Sequence, residues 1–195
     1  GDFAAALAAG EDAVSLADAI GHPFVRVFAD LGLGIARLRQ GELEKAAARL
    51  DAAVGLCEEG QFGLLEGFAS APLGLPRACP GAIDTGRGLI ERALERDTGK
   101  TLFVTRPLHL AYLAEATLLS GAHTEAEFHA AHALTLAGEQ GSRRPEAHAR
   151  RVKADVAAAI RDTTAAEEGY KSGLHLGEEL GMRPLVAHCH LGLGK

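Results

Sequence analysis

From Ala46 to Leu56 the residues Ala46, Leu50, Ala53 and Leu56 recur three and four positions apart, a spacing that lays them along one face of an α-helix. The stretch before it, His22 to Gln40, follows the same rule with Phe24, Phe28, Leu31, Ile35 and Leu38. It ends at Gly41, where a left-handed backbone can close a turn. The pattern predicts two antiparallel helices joined at that glycine. An offset of 40 residues then aligns nearly the whole chain without a gap, so the hairpin is a repeated unit. Gly1, Gly41, Gly81 and Gly121 share a column that departs only at Arg161. Ala6, Ala46, Gly86, Ala126 and Ala166 make a second column, and Ala13, Ala53, Ala93, Ala133 and Gly173 a third. Leu16, Leu56, Arg96, Leu136 and Leu176 form a fourth, and the pairs Leu33-Gly34, Leu73-Gly74, Leu113-Ala114, Lys153-Ala154 and Leu193-Gly194 precede each turn.

Prolines fix the phase. Pro23, Pro145 and Pro184 occupy near-equivalent positions, where a first-turn proline costs no hydrogen bond and presets φ, so they mark the starts of first helices. The succession of Leu-Gly, Gly, Ala and Ala resembles the tetratricopeptide (TPR) repeat, in which small residues let paired helices approach and larger ones fill the gaps between neighbours. Two features depart from that family: the unit is 40 residues instead of about 34, and most aromatic positions are absent. The resemblance implies an all-α fold, a right-handed α-solenoid of about five helical hairpins. The units expected are 1–21 (partial), 22–61, 62–101, 102–141, 142–181 and 182–195 (partial), all in one array.

The segment Leu176 to Lys195, LGEELGMRPLVAHCHLGLGK, resembles the C-terminal repeat region of bacterial proteins that join a nucleotide cyclase or DNA-binding module to an AAA-like signalling ATPase and then to a helical array. That resemblance implies a sensing and partner-binding role, with the ATPase, cyclase or DNA-binding module attached elsewhere in a longer chain. The two partial units and the lack of polar cap helices fit a fragment, because each repeat hides its apolar face only against a neighbour. The alternative is a free-standing adaptor that scaffolds one complex.

The third unit breaks the pattern. Pro72 and Pro76 fall inside its first helix, and an interior proline costs about 3 kcal/mol, which predicts a kink or stop near Ala71. Such a break reads either as a hinge or cleft or as drift in a tolerant repeat. The stretch from Arg96 to Arg106 is expected to be a loop.

Composition narrows the function. With 20 Lys and Arg against 26 Asp and Glu, the net charge is -6, which argues against binding a nucleic-acid backbone. Hydrophobic content of 47% and charged content of 24% are globular values. Arg26, Asp30 and Arg37 interrupt the most apolar early stretch, so no membrane-spanning helix is expected. The chain shows no basic leader, and Cys57, Cys79 and Cys189 are odd in number and lack CxxC spacing, which fits a reducing cytoplasm.

Candidate chemistry is sparse. Asp97-Thr98-Gly99-Lys100-Thr101 carries the tail of a phosphate-binding loop, but Leu94 stands where the first glycine belongs. Glu125, His129 and His132 share a helical face and could offer metal ligands, or be a solvated outer face; no metal or cofactor is assigned. A metal-dependent enzyme on a helical scaffold would need that site. His188 and His190 flank Cys189 but point apart on a helix, and Cys57 and Cys189 read as buried structural thiols. No nucleophile elbow is present, and the chain reads as non-enzymatic. What remains is the groove that first helices line in TPR arrays. By register its contact positions are Phe28, Leu31 and Ile35, then Glu115, then His148, Arg151 and Asp155. That row changes from apolar to charged, suiting an amphipathic helix or an extended peptide, although the apolar members could equally be packed against adjoining helices.

Overall fold

A computed structural model describes residues 2–79, 81–96 and 104–194, and the described residues hold ten α-helices and no strand. The chain divides into two compact units, residues 2–101 and 102–195. The first unit contains α1 (Phe3–Ile20), α2 (Pro23–Gln40), α3 (Leu43–Glu59), α4 (Gly63–Arg77) and α5 (Ile83–Arg96). The second contains α6 (Arg106–Leu119), α7 (His123–Glu139), α8 (Arg143–Ala159), α9 (Thr163–Glu179) and α10 (Arg183–Leu193). Within each unit consecutive helices pack as hairpins, and first helices also touch one another: α2 meets α4, and α8 meets both α6 and α10. This is the α-solenoid that the repeat predicted.

The turns explain the period. Residues with positive φ stand at Gly21, Gly41, Gln61, Gly81, Gly121, Gly141, Arg161 and Gly181, one every 20 residues apart from position 101, which lies outside the described residues. Beyond each of several turns the next N–H donates five residues back, as from Glu42 to Arg37 at 3.0 Å, Ser142 to Ala137 at 2.8 Å and Met182 to Gly177 at 2.8 Å. Those bonds satisfy carbonyls that a helix end would otherwise leave without a partner. Arg161 breaks the glycine column but not the turn, since its φ is 62°.

The small-residue columns are crossing points. Ala46, Ala126, Ala53 and Ala133 have no exposed surface. At Gly86 a Cβ would lie 2.3 Å from the Gly74 carbonyl oxygen and 2.4 Å from the Ala78 nitrogen, so α4 and α5 meet backbone to backbone. Leu33, Leu50, Val27 and Ile90 fill the spaces between, each at 0% exposure.

Prolines bear out one expectation and correct another. Pro23 opens α2, and Pro145 and Pro184 fall in the first turns of α8 and α10, joined by Pro107 in α6. The stop expected near Ala71 does not occur: α4 continues through Pro72 and Pro76 to Arg77. Both prolines are buried, and the close Gly74–Gly86 approach lies between them, so packing against α3 and α5 holds the helix past the bonds that the prolines cannot donate. The residues 97–103, most of the expected loop and all of Asp97 to Thr101, lie outside the described residues. No helix among the described residues is long and apolar enough to cross a membrane.

Candidate functional site

In the first unit the periodicity that makes α2 amphipathic also leaves large side chains of α2 exposed. Phe28 is half exposed and its ring meets Phe24 edge-on at 5.2 Å. Phe24 in turn meets Phe62, in the turn before α4, at 5.5 Å. Leu31 and Ile35 behave differently. Leu31 packs onto the cluster of Val27, Ala53, Cys57, Leu65 and Ala69, and both Leu31 and Ile35 pack against Ala47, Leu50 and Leu73. Of the three apolar groove positions expected here, Phe28 is half exposed, while Leu31 and Ile35 are half-buried against the core. Beneath them Asp30 is fully buried and accepts from Arg26 Nε at 2.6 Å and from Arg49 Nη1 at 3.1 Å.

In the second unit three of the expected polar positions come together. The Arg151 guanidinium on α8 donates from Nη1 to Asp155 Oδ2 at 2.6 Å and from Nη2 to Glu115 on α6. The Tyr170 hydroxyl on α9 donates to the other Asp155 oxygen at 2.7 Å. Arg151 is only 8% exposed, so its charge is engaged inside the unit, whereas the Glu115 and Asp155 side chains keep about a third of their surface, 32% and 28%. Burial alone would lower the Arg151 pKa, but Glu115 and Asp155 hold it above the usual value. Burial raises the Asp155 pKa, and the Arg151 charge and the Tyr170 hydrogen bond only partly offset this. His148 is half-buried on α8, while His188 is exposed on α10 and its positive form would favour the charged Asp155.

Cys57 and Cys189 are buried, as the register implies. Burial pushes the Cys189 thiol up to about 11, and burial and then Glu58 raise that of Cys57. His188 and His190 are exposed on either side of buried Cys189, so the three do not converge. On α7, His129 Nε2 lies 3.6 Å from Glu125 Oε1, and the Phe128 ring stands beside His129 and His132. The described residues contain no group of three His, Cys, Asp or Glu side chains placed to share a metal ion. The phosphate-loop tail at Asp97 to Thr101 lies outside the described residues.

The groove row read from the sequence left out Phe24, Phe62 and Tyr170, which the structure places against its members or beside them. Two of them carried a signal: Phe24 lies four residues before Phe28 on the same helical face, and Tyr170 is one of only two tyrosines in a chain poor in aromatics.

No protein-family model matches the chain, and no curated protein matches it. Solved structures do. The crystal structure of BtubC (BKLC) from P. vanneervenii superposes with a TM-score of 0.64 at 16% identity, covering 92% of this chain and 75% of that one. A P. anserina protein assigned as a kinesin light chain, with nearly identical TPR-like repeats, gives a TM-score of 0.61 at 17% identity, covering 93% of this chain and 90% of that one. These likenesses establish the TPR-like fold.

Proposed function

We propose that the chain is a non-enzymatic protein-interaction region that binds a protein or peptide partner on its first-helix faces. The observation that carries this reading is the exposed Phe24–Phe28 pair on α2, large apolar side chains left in water on one of the first helices, which in TPR-like arrays line the groove. Glu115 and Asp155, each still a third exposed around the engaged Arg151, give the second unit a polar counterpart. His148 lies on the same helix as that charge network and belongs to the same candidate face.

The finer proposal is that the two units form one array and serve as the sensing part of a larger bacterial cytoplasmic regulator with an attached ATPase, cyclase or DNA-binding module. Its support is the resemblance carried by Leu176 to Lys195. A free-standing adaptor is the competing reading, and the mass of the native polypeptide in source cells decides between them. A product far heavier than 20.3 kDa supports the regulator, and one of that size rejects it. The interaction reading itself is tested by hydrogen–deuterium exchange on the chain with its co-purified partner. Protection concentrated on α2, α4, α6, α8 and α10 is expected; protection confined to α3, α5, α7 and α9 would sink it.

A further inference from the structure

The surroundings of the aromatic pair say what kind of partner it suits. Phe24 is 42% exposed and Phe28 50%, and Val25 beside them is 37% exposed. Four residues beyond Phe28, Gly32 leaves a notch: a Cβ built there meets no atom within 4 Å. On the Phe62 side the patch continues onto apolar packing, because Phe62, Phe68 and Leu31 all pack on the Val27, Ala53, Cys57, Leu65 and Ala69 cluster.

On the Phe62 side the patch is followed by acidic residues. Phe62, which touches Phe24, follows the C-terminus of α3, whose last residues are Glu58 and Glu59. Both are exposed, and neither is ion-paired to a described residue. The last turn of α3 has no basic residue, so two carboxylates add to the negative end of the helix dipole. The nearest cation on α2, Arg26, is already held between Asp18 and Asp30. Arg49 is committed to Asp30 as well. The sequence of residues 2–101 carries 15 Asp and Glu against 10 Lys and Arg, the same sign as the border.

We infer that the Phe24–Phe28 patch on α2 takes a short amphipathic helix with an apolar stripe and flanking lysines or arginines, the stripe on the aromatic rings and the cations at Glu58 and Glu59. This rests on the interaction reading above and gives it a partner chemistry. An apolar stripe removes the rings from water, and cations relieve the acidic helix end, so the two terms act on the same ligand. An acidic helix of equal apolarity gains the first term and loses on the second.

The chain has no Trp, so a bound peptide can be read by its own fluorescence. The probe is a synthetic helix of about 16 residues, long enough for four turns, with Leu at helical spacing, Lys elsewhere and one Trp on the Leu face. Titrated into the full chain, its emission should shift to the blue and its affinity should fall as salt is added. Phe28→Ser should weaken binding by at least about tenfold, as loss of a central aromatic anchor does. Glu58→Gln combined with Glu59→Gln should weaken it several-fold and flatten the salt dependence. Phe128→Ser, at a 65% exposed ring on α7, should leave it unchanged. Circular dichroism confirms that each variant is folded.

Equal affinity for a Glu-for-Lys version of the peptide overturns the inference, as does full binding by the Phe28→Ser chain. Self-association of the chain that Phe28→Ser abolishes also overturns it, because the occupant is then a second copy. If the Phe28→Ser chain still retains its co-purified partner in full, this inference fails and the interaction reading stands. If the exchange experiment shows no partner on the first helices at all, the broader reading fails independently.

Discussion

Cys189 has no exposed surface on α10, and its sulfur would touch a Cβ added at Gly173. Burial raises its folded pKa from 9.0 to about 11, so the unfolded chain releases that proton first as pH rises. Ionisation therefore favours unfolding: the stability from this thiol is complete below pH 9 and is lost between 9 and about 11. Urea melts of the wild type should show a midpoint falling across that window, and Cys189→Ala should flatten the fall. A slope unchanged in Cys189→Ala would assign it elsewhere. Tyr170, whose pKa burial also raises, adds to the loss at higher pH. Arg151 is the other residue on which this unit depends. Arg151→Ala leaves Glu115 and Asp155 facing each other without a cation. The expected cost is about 2–3 kcal/mol by denaturant melting, less than for a fully buried pair because both carboxylates can partly rehydrate.

At the scale of the element, the turns and crossings set what each position accepts. Gln61 and Arg161 hold left-handed φ values of 54° and 62°, a conformation that costs a side-chain-bearing residue about 1 kcal/mol or more. Arg161→Gly is expected to stabilise the chain by about 0.5–1 kcal/mol, allowing for the extra freedom glycine gives the unfolded state; a lower melting temperature would contradict this. Glycines inside helices divide by what lies opposite. Gly32→Ala has open space and should add up to about 1 kcal/mol. Gly86→Ala meets backbone at 2.3 Å and should cost about 1–3 kcal/mol by forcing α4 and α5 apart. Calorimetry of the pair gives opposite signs if the packing described is correct. The misjudged element is α4. A local rule set Pro72 and Pro76 against the helix, and the contacts of a fully buried Pro72 outweighed it.

For the molecule as a whole, each unit contains its own hairpins and its own clusters of buried residues. Residues 2–101 and 102–195 made separately should each keep helical circular dichroism, as repeats that depend on nearest neighbours do; loss of helicity in both would show that neither folds alone. The hairpins, their turns and their close crossings were legible in the sequence because each depends on short-range constraints. Left-handed turn residues, first-turn prolines and small residues at crossings leave marks in most copies, and the sum over copies reveals the period. The candidate site was legible only as a row of positions. Phe28, Leu31 and Ile35 share one helical face and look alike in sequence, yet Phe28 reaches solvent while Leu31 and Ile35 pack inward. Likewise the charges of Glu115, Arg151 and Asp155 were visible, but not that Arg151 is enclosed between the other two. Sequence alone determined the repeat and the faces of its helices, because those follow from backbone geometry within one hairpin. Only the tertiary structure decided which side chains remain available, because exposure depends on how closely neighbouring helices stack over each position.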